Sequence, residues 1–250
     1  CVEGCLRHGF GGIAPWRDKL HEVGIGEGVR MIKDSGLTVT GLVRGGWYTA
    51  EGALTDSVLD DNRYAVDEAV AIGAECVVMV VGGLPEGSKD ILGAREIVTK
   101  GLSLTLDYAR TVDMKIAIEP LHPMYAADRA CVNTLRQTLD MCDQLGPGIG
   151  AAVDVYHVWW DPEIHEQIER AGKDRLMAFH ICDWLVPTRD MLTDRGMMGD
   201  GVIDISGFRA LVENGGFNGL SEVEIFSKQN WWKRDADEVL KTITERARAC

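Results

Sequence analysis

No stretch of this chain stays apolar long enough to span a bilayer: the longest runs, around Cys76 to Leu84 and Gly148 to Val153, fall far short of the roughly 20 residues a membrane helix needs. No membrane partner is expected, and no signal-peptide pattern precedes the first residues. No Pro, Ser or Gly tract divides the 250 residues, which fits one domain over 1–250. No CxxC pair occurs among the seven cysteines, and Cys76, Cys142 and Cys182 sit inside apolar runs, where a reduced thiol behaves as a small hydrophobe. That usage points to a cytoplasmic protein. Basic clusters are missing as well, and a formal charge of −13 repels phosphate backbones, so nucleic acid is not an expected partner.

What is present is a regular alternation. β-rich runs recur at Gly11 to Arg17, Thr38 to Trp47, Cys76 to Leu84, Lys115 to Leu121, Gly150 to Val158, Leu176 to Trp184 and Leu220 to Phe226. Stretches such as VVMVV and KIAIEPL are almost continuously apolar, as strands covered on both faces are. Between them, apolar residues fall at helical spacing, as in Leu135, Leu139, Cys142 and Leu145, and Gly36, Gly73, Gly146, Gly172 and Gly215–Gly216 stand where helices stop. Strands alternating with helices imply a parallel sheet with right-handed crossovers, here an α/β fold of the (β/α)8 TIM-barrel class. The opening CVEGCLRHGFGG reads as the last turns of a helix and its Gly stop, which puts a first strand upstream of Cys1. An open doubly wound sheet is the rival, but its usual GxGxxG turn is missing.

In parallel barrels the active site lies at the C-terminal ends of the strands. Four runs here close in residues able to do chemistry: Glu119, Asp154 with His157, His180 with Asp183, and Glu224. Any one of them has a structural explanation. Together they put three carboxylates at one barrel mouth, where they repel unless a cation or protons neutralise them. Three carboxylates and one imidazole form an oxygen-rich set that suits Mn²⁺ best, with Mg²⁺, Co²⁺ and Zn²⁺ as alternatives. Cys182 is expected to face away from this set, and Asp183 to orient His180.

The strand endings IEPLHP, DVYH, FHICDW and EVEIF, with MMGDGVIDI, resemble the sugar phosphate isomerase/epimerase superfamily of xylose-isomerase-like TIM barrels, which includes ketose 3-epimerases, hydroxypyruvate isomerases and inosose dehydratases. The resemblance implies one divalent metal held by Glu119, Asp154, His180 and Glu224, with Glu119 and Glu224 as the proton-transferring pair. It implies substrate-binding roles for His157 and, nine residues after His180, Arg189. The position six after Glu119, often Glu in the ketose epimerases, is Tyr125 here. His122 and Trp16 are further candidates for contact with substrate, against a loop-anchoring role for the first and packing for the second.

The expected function is therefore a metal-dependent isomerase or epimerase of a small polyhydroxy carbonyl compound, working through an enediolate. A dehydratase on the same barrel is the alternative, since it abstracts the same proton. A nuclease needs more metal ligands and a basic groove, and a pure binding protein has little reason to bear the cost of crowded carboxylates. With no basic cluster visible, an unphosphorylated substrate is expected. The Trp159–Trp160 and Trp231–Trp232 pairs read as loop packing or a subunit contact in a homo-oligomer.

Overall fold

A computed structural model describes residues 1–248 and 250. Its strands are β1 (Gly12–Ile13), β2 (Thr38–Val39), β3 (Leu42–Gly46), β4 (Cys76–Val80), β5 (Lys115–Ile118), β6 (Ile149–Asp154), β7 (Leu176–Ile181), β8 (Asp183–Trp184), β9 (Arg195–Gly196) and β10 (Ser221–Val223). Its helices are α1 (Val2–Arg7), α2 (Arg17–Val23), α3 (Ile25–Ser35), α4 (Asp56–Ile72), α5 (Ile91–Thr111), α6 (Leu135–Leu145), α7 (Val155–Val158), α8 (Ile164–Arg175), α9 (Ile205–Asn214) and α10 (Ala236–Ala247). Every expected strand region contains a strand. Among the described residues, no helix is long and apolar enough to cross a membrane.

Six strands form one parallel sheet in the order β10-β7-β6-β5-β4-β3, and β1 pairs with β2 in parallel. A parallel bridge from Trp16 to Val43 carries the curl from the β1 end onto β3. The result is the wall of a TIM barrel. The far edges, β1 and β10, face one another across a cavity of about 410 Å³ that reaches His180 and Glu224. Short β8 and β9 pair antiparallel above the wall and belong to the mouth.

The helices lie outside this wall because their apolar stripes match its outward residues. Outward Val77, Met79, Ile116 and Ile118 pack with Ala65, Ala69, Leu102 and Leu106 of α4 and α5, and outward Ala151, Val153, Phe179 and Ile181 pack with Leu139 and Ile168 of α6 and α8. Side-chain caps fix where helices begin: Thr55 accepts from Val58 N–H, Asp90 from Gly93 N–H and Thr134 from Gln137 N–H. The inward side is different. There Val43, Cys76, Val78, Ala117, Ala152 and Ala178 form a small separate cluster. Three alanines at that level fill little volume, and the polar residues two positions further along the same strands sit directly above them on the same face. Ala117 thus leads to Glu119, Ala152 to Asp154, and Ala178 to His180.

Candidate active site

Register brings these residues together. Asp154 on β6 is the lateral partner of His180 on β7, and His180 in turn partners Glu222 on β10. Glu119 and Glu224, each one residue past its strand, continue the ladders by donating backbone N–H to Met79 O at 3.1 Å and Ile181 O at 3.2 Å. One donor atom from each of Glu119, Asp154, His180 and Glu224 lies within 4.8 Å of the other three. His180 Nδ1 faces Glu119 Oε1 at 3.0 Å, which is the side of the ring turned toward the cluster.

The other side of that ring meets a residue the sequence reading passed over. His180 Nε2 lies 3.4 Å from Glu222 Oε2, and neither His180 Nε2 nor Glu222 Oε1 has another hydrogen-bond partner among the described residues. Burial alone lowers the pKa of His180, but Glu222 and Glu119 outweigh it and hold it well above the ordinary histidine value. Alternation along SEVEIF was the available signal, since Glu222 and Glu224 must share a face.

A second unforeseen residue is Arg195 on β9. Its backbone N–H donates to Phe226 O at 2.8 Å. Its Nη1 donates to Asp154 Oδ2 at 2.8 Å and Glu224 Oε2 at 2.9 Å, and its guanidinium lies 4.4 Å from the Tyr156 ring centre and 4.9 Å from that of Phe226. The arginine expected here, Arg189, is instead at the surface, where it pairs with Asp194 and its Nε donates to Asp194 Oδ2 at 3.0 Å. Spacing along the chain misled because the link from β8 to β9 makes an excursion that carries Arg189 away and returns with Arg195.

These contacts set the charges. Burial raises the Asp154 carboxyl, but Arg195, His157 and His180 together bring it below the usual range. At Glu224 burial wins over Arg195 and, with the carboxylates of Glu119 and Asp154 nearby, pushes the pKa to about 7. His157 is driven down to about 4, chiefly by burial, with Asp154 opposing and Arg195 assisting. It is neutral near pH 7. His122 N–H donates to His157 Nδ1 at 3.2 Å, and Arg195 Nη2 faces His157 Nε2 at 3.2 Å, so each ring nitrogen looks onto a donor.

The remaining candidates line the mouth. His122 accepts from Met124 N–H through Nδ1 at 3.3 Å, and its ring lies 5.0 Å from Trp184 and 5.6 Å from Trp160. Trp16 borders the cavity that reaches His180 and Glu224, and its ring meets Phe226 edge-on at 5.4 Å. Tyr125 turns its ring edge to His157 and donates its hydroxyl to Met191 O.

Two further expectations fail. Asp183 does not touch His180; its carboxylate accepts from the N–H groups of Trp184, Gly199, Gly201 and Ile203 at 2.8–3.0 Å, tying the MMGDG loop beneath the mouth. Gly201 is needed for that close approach, since a Cβ there would lie 2.1 Å from Trp184 O. Cys182 does not face away: its Sγ is 3.7 Å from Arg195 Nη1, because residues two apart share a face of a strand.

The donor set fits a divalent cation. Three buried or largely buried carboxylates and an imidazole converge, an oxygen-rich donor set of the kind that holds such an ion.

Comparison with known proteins agrees with this architecture. The chain belongs to the xylose isomerase-like TIM barrel family, whose model matches residues 2–245. Protein SMc04130 from Sinorhizobium meliloti 1021 is 59% identical, with a TM-score of 0.97 over 100% of this chain and 91% of that one. The IOLI protein, solved with a zinc atom bound, is 19% identical with a TM-score of 0.80 over 98% of this chain and 90% of that one, a likeness of fold. Inosose isomerase from Bacillus velezensis is 28% identical over 147 residues, 57% of this chain. That match spans 50% of the length of the isomerase.

Proposed function

We propose that this xylose isomerase-like barrel is a divalent-metal-dependent isomerase or epimerase of a small polyhydroxy carbonyl compound, with Glu119 and Glu224 transferring the proton. The observation that carries the reading is the convergence of Glu119, Asp154, His180 and Glu224 donor atoms within 4.8 Å at the C-terminal end of a parallel barrel. These four residues would hold the ion. Mn²⁺ suits so oxygen-rich a set, and the zinc-bound relative makes Zn²⁺ the first alternative to test. When bound, a divalent ion supplies the positive charge that stabilises negative charge developing on the substrate's carbonyl and neighbouring hydroxyl oxygens.

The protein's own groups do the rest. Glu119 and Glu224 come from strands on opposite sides of β6 and β7, so a substrate lying between them is open to proton removal by one carboxylate and return by the other. Arg195 keeps Glu224 and Asp154 in place through paired charge-assisted hydrogen bonds. His157, buried beside Asp154 and outside the convergent donor set, positions substrate. Tyr156, Trp160 and Trp184 exclude water from the mouth around His122.

The test is product formation in D₂O. Proton transfer through an enediolate gives a product isomeric with the substrate and carrying deuterium at the reacting carbon. A product lighter by one water, with a conjugated carbonyl absorbing in the ultraviolet, refutes the isomerase reading and makes the protein a dehydratase.

A further inference from the structure

Part of the site is closed to solvent. Asp154, His157 and Arg195 are buried, and none of the three lines the cavity that reaches His180 and Glu224. A substrate positioned by His157 therefore has to enter from the mouth, where two tyrosines stand in the way. Tyr125, after β5, and Tyr156, in α7, turn their rings to His157 edge-on at 5.9 and 5.5 Å. Both are buried, and both hydroxyls donate to one acceptor, Met191 O, that of Tyr156 at 2.9 Å. A carbonyl oxygen has two lone pairs, so these two donors saturate it.

Met191 belongs to the link from β8 to β9, residues 185–194, which otherwise holds on weakly. No residue from Leu185 to Leu192 is buried, and Val186 and Met191 are 72% and 49% exposed. Its own hydrogen bonds close on the link itself: Thr188 Oγ1 donates to Leu185 O at 2.8 Å, and Asp190 Oδ1 accepts from the N–H groups of Leu192 and Thr193 at 3.0 and 2.7 Å. Among the described residues, the two tyrosine hydroxyls are the hydrogen bonds that tie residues 185–192 to anything outside the link.

The exit of the link is fixed by contrast. Buried Asp194 accepts from Arg189 N–H at 2.9 Å and forms an antiparallel bridge with Ser227, and Lys228 N–H donates to Thr193 O at 2.9 Å. A segment with a firm base, an exposed tip and few buried contacts opens locally at far less cost than the fold as a whole. Opening here breaks two hydrogen bonds and exposes the tyrosines beside His157.

We infer that residues 185–192 form a gate through which substrate reaches His157, latched by the Tyr125 and Tyr156 hydroxyls on Met191 O. This rests on the reading of His157 as a substrate contact. The tyrosines are positioning residues, acting through the link. Loss of the hydroxyl leaves the Tyr156 ring held, since it stacks on Trp184 at 4.6 Å and lies 4.4 Å from the Arg195 guanidinium.

The experiment compares protein equilibrated with Mn²⁺ and its variants Tyr125→Phe, Tyr156→Phe and the two combined. Mass spectrometry follows amide deuterium exchange over residues 186–193 and carbethoxylation of His157 by diethyl pyrocarbonate, with exchange in β4 as the reference for the whole fold. Each lost hydroxyl should speed both about fivefold, and the pair about twentyfold, while β4 is unchanged. Unchanged exchange in the link, or unchanged labelling of His157, in the combined variant overturns the gate. Equal acceleration in β4 overturns it too, because the hydroxyls would then brace the fold as a whole. Solvent deuterium incorporation into D-fructose, D-allulose and myo-inosose is read separately. Faster labelling of His157 with no incorporation leaves the gate standing and counts against the isomerase reading, and incorporation with the link unmoved does the reverse.

Discussion

Glu224 links the acid–base state of the cluster to its cation. Burial and the nearby carboxylates push its pKa to about 7, yet it must be ionised to act as a ligand. A group of that pKa is about 0.9 protonated at pH 6 and about 0.1 at pH 8, so metal binding should release about 0.8 more proton at the lower pH. His180, held as imidazolium between Glu119 and Glu222, gives up its own proton at both. Calorimetry of Mn²⁺ binding in buffers of different ionisation enthalpy counts the protons. Glu224→Gln should abolish the difference between the two pH values. The same shift bears on stability without metal: a carboxylate whose folded pKa is raised stabilises the fold fully below its unfolded value of 4.5, and that contribution is lost as pH rises through about 7. The loss is about 3 kcal/mol. Urea unfolding in chelator at pH 4.5 and pH 8 should show wild type losing that much relative to Glu224→Gln. Identical proton release at pH 6 and pH 8 would refute the reasoning.

Asp183→Ala strips the acceptor from four backbone N–H groups and should destabilise the fold by about 3 kcal/mol or more, read from urea unfolding; a loss under about 1 kcal/mol would mean that water satisfies the loop. Glu222→Gln should weaken metal binding about tenfold in competition with a chelating dye, because the carboxylate that fixes the His180 ring is gone; unchanged affinity would leave Glu222 as packing. Asp154→Ala and His180→Ala should each lose metal, whereas His157→Ala should retain it and raise KM, and equal metal loss in all three would show that the shell is wrongly divided.

The strands and the cluster were legible for one reason: a strand covered on both faces is apolar throughout, so Glu119, Asp154, His180 and Glu224 break the pattern at the level where a barrel does chemistry. Arg195 was beyond this rule, because it lies in an irregular excursion whose length does not reveal which arginine returns to the mouth. Asp183 obeyed the rule yet serves the loop, since a carboxylate closing a strand satisfies backbone N–H groups as readily as it holds a ligand.

The central claim is that four convergent side chains hold one divalent ion on which proton transfer depends. Stepwise addition of Mn²⁺ to chelator-treated protein, with bound metal and turnover measured on the same samples, tests it most directly. Both should rise together and level off at about one ion per chain, and Asp154→Ala should flatten both. Full turnover in protein verified to be metal-free would contradict it.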